Sequence, residues 1–214
     1  MTQIREDYVA AASAAAQLLG EPAVAAAWDK PSALELYSVA GLAGHLAGQV
    51  LFVAGFLDDS GPQPQEKPVT LPEYYDRSTW INAGIDDGPH VRIRATSEAN
   101  ASDGAAALAA RVHTVLDEVR KALPSVPDRL VRMPTWGDYS LRLDDFLVTR
   151  LMELVVHSDD LAVSVGLPTP PLPDTATGTV VDLLARLAVR RHGPTAVVRA
   201  LSRAERAPTS ISAF

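Results

Sequence analysis

The chain has 214 residues, 47% of them hydrophobic, and a net charge of −7. That length and composition describe a globular chain with one sizeable core and exclude a disordered one. The acidic balance, with lysine only at Lys30, Lys67 and Lys121, argues against a nucleic-acid-binding surface, and the absence of cysteine removes disulfides, thiolate metal sites and a protein thiol nucleophile.

The opening "MTQIREDYVAAASAAAQLLG" carries acids and lacks a basic start before an apolar run, so it does not read as a secretory signal. No apolar run approaches the ~20 residues of a membrane span. The expectation is a soluble cytoplasmic protein with neither nucleic acid nor membrane as partner.

Residues 3–19 are predicted as a first helix, with Ile4, Tyr8, Ala11, Ala12, Ala15, Leu18 and Leu19 on one face and Gly20 at its end. An Ala-rich turn, 22–28, follows. Ser38 is the expected N-cap of a helix over about 39–58 that is apolar nearly all round and therefore central. Within it Gly41, Gly44 and Gly48 allow a second helix to approach closely. A Pro-rich loop covers 59–72, and "EYYDRSTWINAG" reads as a short helix. "DDGPHVRIRATSEANA" can open a helix, with Asp87 near the cap and Pro89 in the first turn, although "HVRIRAT" also alternates like a strand. Residues 103–122 are a helix. "RLVRMPTWGDYSLRL" is extended, with a turn at Trp136-Gly137-Asp138. Asp144 is the candidate cap of a helix over about 145–165 that Gly166 stops. After a stiff "LPTPPLPD" linker, a last long helix covers 175–192, with a short helix and an extended end behind it.

The four long helices suggest a mainly α chain: a four-helix bundle over 1–167 with one long crossover (59–102), and a small helical and extended C-terminal appendage over 174–214.

The stretch "TRLMELVVHSDDLA", 149–162, carries a stripe of charge on an otherwise buried helix. Glu153 and His157 are i and i+4, so their side chains can meet at one point. Carboxylate oxygen and imidazole nitrogen suit zinc and neighbouring divalent ions. His45, the lone acid, base or imidazole between Glu35 and Asp58, is the natural third ligand from the central helix. Singly, each has an ordinary explanation: a core histidine bonded to a carbonyl, and a helix-surface pair. Jointly those explanations weaken, because both helices are too apolar to lie at the surface and their polar groups must find one another. Two His and one Glu would leave a fourth coordination position open, as catalytic sites do. Arg150 can orient Glu153 or pair with Asp144–Asp145. Asp160, three residues after His157, can accept the other ring proton of that ligand. His90, His113 and His192 read as non-ligands. No GxSxG, P-loop, GxGxxG or HExxH motif is present.

Three stretches carry a family resemblance: "PSALELYSVAGLAGHLAG", "TRLMELVVHSDDLAVSVGL" and "RHGPTAVVRALSRAER". With them the chain resembles the mycothiol-dependent maleylpyruvate isomerase family, part of the DinB-like group of metal-binding four-helix bundles. The resemblance implies a divalent metal, usually zinc, held by His45, Glu153 and His157. It also implies mycothiol as thiol cofactor, its sulfur at the open position, poised to attack a small electrophilic substrate. The implied reaction is a maleylpyruvate-type cis–trans isomerisation. A mycothiol S-transferase and a non-catalytic, metal-stabilised binding or interaction protein are the alternatives. The region after Asp174 is expected to be shorter than the isomerase's own C-terminal domain, which leaves the substrate unassigned. The crossover is the expected wall or lid. Tyr75, Arg77, Trp80 and Arg94, with Trp136 just before the last bundle helix, are the candidate pocket residues, and no catalytic side chain beyond the metal ligands is assigned.

Overall fold

The computed structural model describes residues 1–57, 67–133 and 137–214. Among them the helices are α1 (Gln3–Leu19), α2 (Pro22–Ala26), α3 (Val39–Ala54), α4 (Leu71–Arg77), α5 (Gly88–Ala101), α6 (Ala105–Ala122), α7 (Leu143–Val165), α8 (Asp174–His192) and α9 (Pro194–Ser202). Two short antiparallel strands, β1 (Leu130–Val131) and β2 (Leu141–Arg142), pair Leu130 with Arg142 and Val131 with Leu141. The predicted turn residue Trp136 lies outside the described residues. Among those residues no helix is long and apolar enough to cross a membrane.

The mainly α bundle is the observed architecture. Helices α1, α3, α6 and α7 form a ring in which α1 and α3 each touch both α6 and α7. Helix α3 is central because its sequence leaves it no polar face: Val39, Leu42, Ala43, Leu46, Ala47, Val50 and Val53 are all fully buried. It begins where Ser38 Oγ accepts from the Gly41 amide at 3.0 Å. It stops at Gly55, short of the predicted 58.

In the crossover the helix expected from "DDGPHVRIRATSEANA" forms, with Asp87 in the capping position. The segment with strand-like alternation is helix α5, running along α3. Pro89 fits its first turn, where the missing amide costs nothing. Ser97 and Ala101, four apart, supply its buried face. The approach is close enough that a Cβ on Gly44 would lie 2.0 Å from the Ser97 carbonyl oxygen. Asn100 Nδ2 adds a 3.2 Å bond to the Gly44 carbonyl. Helix α4 starts in a capping box, Glu73 Oε2 accepting from the Thr70 amide at 2.8 Å, and buries Tyr74 and Tyr75 against the bundle.

Helix α7 starts two residues earlier than predicted, with Arg142 rather than Asp144 in the capping position. Asp144 instead sits in the first turn, where its charge suits the helix dipole. Its carboxylate takes Arg5 Nε at 2.7 Å and Thr2 Oγ1 at 2.9 Å. The helix ends at Gly166, whose φ of 71° is left-handed. Helix α8 packs on α7 and α1, and α9 on α8. Arg190 of α8 pairs with Asp76 of α4, and the Phe214 ring rests 4.9 Å from Trp80. The C-terminal region thereby meets the crossover.

Candidate metal centre

Helices α3 and α7 touch along their buried faces, and the three predicted ligands meet there. Glu153 Oε2 lies 3.1 Å from His45 Nε2 and 3.1 Å from His157 Nε2. The two imidazole rings stand edge to face, 4.6 Å between centroids at 88°. One ligating atom from each residue falls within 4.8 Å of the others. All three side chains are largely buried, with 14–16% of each exposed.

The far side of each ring is held. His157 Nδ1 lies 2.8 Å from Asp160 Oδ2, the carboxylate predicted for that role, so that nitrogen carries the ring proton. His45 Nδ1 lies 3.3 Å from Ser97 Oγ, whose own hydroxyl donates to the Ile93 carbonyl at 2.8 Å. Tyr37 also hydrogen-bonds the Ser97 side chain. With its proton committed to Ile93, Ser97 can accept from the ring, and a His45 proton on Nδ1 frees Nε2 for a cation. Both Nε2 lone pairs then face one carboxylate oxygen.

Three acceptors at that spacing require something positive among them. The donor set fits a divalent cation: two imidazole nitrogens and a carboxylate oxygen suit zinc, and atoms 3.1 Å apart are close to the roughly 3.4 Å between ligands of a tetrahedron with bonds of about 2.1 Å. In the metal-free chain protons do the work. Burial pushes His157 down, but hydrogen bonds to Asp160 and Glu153 and their charges outweigh it and raise the imidazole to about 9. Burial pushes Glu153 up, and the bonds and charges of His157 and His45 overcome it, holding the carboxyl well below its usual range. His45 is lowered, because burial outweighs the Glu153 bond.

Arg150 departs from its expected role. It reaches neither Glu153 nor Asp144–Asp145. Its Nη1 donates to Gln49 Oε1 at 2.6 Å, its Nε lies 3.1 Å from Thr149 Oγ1, and its guanidinium lies over the Phe146 ring at 5.2 Å. Gln49 Nε2 in turn donates to the His45 carbonyl at 2.9 Å, and Tyr8 Oη to the Gln49 carbonyl at 3.0 Å. Gln49 is one turn after His45 on α3, and that spacing is the signal that could have found it. Ser97 was hidden by the ambiguous reading of α5.

The crossover candidates divide. Tyr75 is buried, its ring 6.1 Å from Phe214 and its hydroxyl under the influence of Glu153 and Arg150. Arg94 donates to the Ile85 carbonyl at 2.7 Å and bears on Tyr37. Arg77 lies over the Tyr139 ring at 5.3 Å, and half-buried Trp80 packs on Phe214, so both serve the wall itself. Trp136 is outside the described residues.

A family model described as the mycothiol maleylpyruvate isomerase N-terminal domain matches residues 9–162, a span that includes all three triad residues. No curated protein and no solved structure matches the chain.

Proposed function

The chain belongs to the mycothiol maleylpyruvate isomerase N-terminal domain family, and from that premise we propose that it is a metal-dependent enzyme that uses a low-molecular-weight thiol, mycothiol, against a small electrophilic substrate. The reaction class is cis–trans isomerisation of a conjugated acid, with S-transfer to an electrophile as the alternative outcome of the same chemistry. The observation that carries this reading is the convergence of His45 Nε2, His157 Nε2 and Glu153 Oε2 on one point.

His45, Glu153 and His157 would hold the metal. A dication there supplies a Lewis acid that favours the thiolate form of a coordinated thiol, since two neutral imidazoles and one carboxylate leave it a formal charge of about +1. The chain's own residues do the rest. Asp160 and Ser97 fix both rings so that Nε2 points inward. Burial between α3 and α7 leaves the carboxylate side chain only 14% exposed. Gln49 ties Arg150 to the backbone of His45.

The test has two stages. Metal analysis of the purified protein beside a His45→Ala variant examines the centre: equal, low zinc in both would end the reading. Turnover of electrophiles such as maleylpyruvate, with mycothiol present and omitted, examines the cofactor: a rate indifferent to the thiol would remove it.

A further inference from the structure

Arg150 carries a charge that no carboxylate answers among the described residues. Its partners are the neutral Gln49 and Thr149, the Phe146 ring and the Tyr74 hydroxyl. Close by on α4, the Tyr75 hydroxyl is buried without a hydrogen-bond partner among the described residues, in a side chain only 4% exposed. A buried hydroxyl left unpaired costs stability, and a folded chain keeps one where something else satisfies it. Both groups belong to the neighbourhood of the triad. Arg150 precedes Glu153 by one turn of α7, the Tyr74 hydroxyl bonds Arg150, and the Tyr75 ring stands edge to face with Tyr74, 5.0 Å between centroids.

We propose that Arg150 and the Tyr75 hydroxyl form an anion subsite beside the triad, and that it takes a carboxylate of the small-molecule substrate. The inference rests on reading the triad as the reaction centre. A carboxylate fits better than a phosphate, because one guanidinium balances one negative charge and a phosphate brings nearly two. The two carboxylate oxygens can divide between the guanidinium and the hydroxyl, both of which only need an acceptor. Gln49 makes the arrangement rigid, since one side chain holds Arg150 through Oε1 and the backbone of ligand His45 through Nε2.

Calorimetric titration with succinate, on zinc-loaded and metal-free protein, tests the subsite without reference to turnover. Succinate should bind wild type in both forms. Tyr75→Phe, which keeps the ring and its packing, should weaken succinate about tenfold, the usual worth of a hydrogen bond to a charged group. Arg150→Gln should weaken it further, and Arg150→Lys should fall between. Zinc affinity should change little in Tyr75→Phe. Wild-type affinity for succinate in Tyr75→Phe and Arg150→Lys overturns the proposal even if Arg150→Gln does not fold, and so does a wild type that ignores succinate. The two readings fail separately. A wild type that holds no zinc but binds succinate through Arg150 and Tyr75 keeps the subsite and loses the metal centre. Zinc loading with succinate binding that ignores both residues does the reverse.

Discussion

His45 Nε2 stands 3.1 Å from Glu153 Oε2, a spacing that a shared proton fills in the metal-free chain and that a cation can take over. Such a cation would bind both groups, so zinc uptake should depend on His45. Wild type should hold about one zinc per chain, and His45→Ala close to none. At free zinc of a hundred times its Kd, wild type should gain about 2.7 kcal/mol of stability. For a chain this size that is a rise of roughly 5–10 °C in Tm. A melting temperature that ignores zinc in wild type would contradict the pairing.

Asp160 orients His157 from behind at 2.8 Å. Asp160→Asn keeps the shape but removes the charge that favours a proton on Nδ1. Zinc affinity should fall about 10- to 100-fold, the range found for partners of ligating histidines, while the fold remains. Competition with a chromophoric chelator measures it. Unchanged affinity would show that the ring needs no such support.

Proton and metal compete for His157. In the metal-free chain this imidazole is raised from 6.5 to about 9, so near neutral pH zinc must displace a proton. Apparent zinc affinity should therefore drop as pH falls below about 9, approaching tenfold per unit. The stability of the metal-free chain runs the other way. A raised pKa contributes stability that is full below 6.5 and is lost as pH rises through about 9. Zinc titrations in buffers of different ionisation enthalpy count the released proton, and heats that do not vary with buffer would refute the competition.

Gly44 and Gly48 look equivalent in sequence and should not behave alike. A Cβ on Gly44 would lie 2.0 Å from a backbone oxygen of α5, which cannot move without shifting Ser97 and, through it, His45. Gly44→Ala should cost about 3 kcal/mol, at the top of the overpacking range, and should weaken zinc binding as well. At Gly48 the nearest atom is the ring of Phe52 at 3.3 Å, and a side chain can turn. Gly48→Ala should stay within about 1 kcal/mol, helix propensity offsetting the contact. Urea unfolding of the two variants separates them, and equal midpoints would disprove the distinction.

The bundle helices were legible because their signals are local and agree. Ser38 caps α3, Gly166 ends α7 in a left-handed turn, and apolar periodicity marks the faces between. The triad was legible for a different reason: ionisable groups on helices with no solvent face must meet. What stayed ambiguous or escaped was decided by neighbours. The alternation in "HVRIRAT" suits a strand by itself, and α5 is a helix because Ser97 and Ala101 fit the glycine face of α3. Asp144 looks like a cap, but Arg5 draws it into the first turn, and Arg142 takes the capping position. Arg150 looks like a partner for carboxylates, yet the nearest well-placed acceptor is Gln49, a residue whose importance shows only once α3 and α7 are side by side.

His45 and Glu153 are separated by 108 positions, and that distance has a meaning for biosynthesis. At synthesis rates of about 5–20 residues per second, His45 is made roughly five to twenty seconds before Glu153. For that interval the most apolar helix of the chain waits without α7, the neighbour that completes its burial, and no metal can be captured by one histidine alone. A metal held by His45, Glu153 and His157 would thus be loaded at the end of assembly, and its presence in a newly made chain would certify that α3 and α7 have found each other.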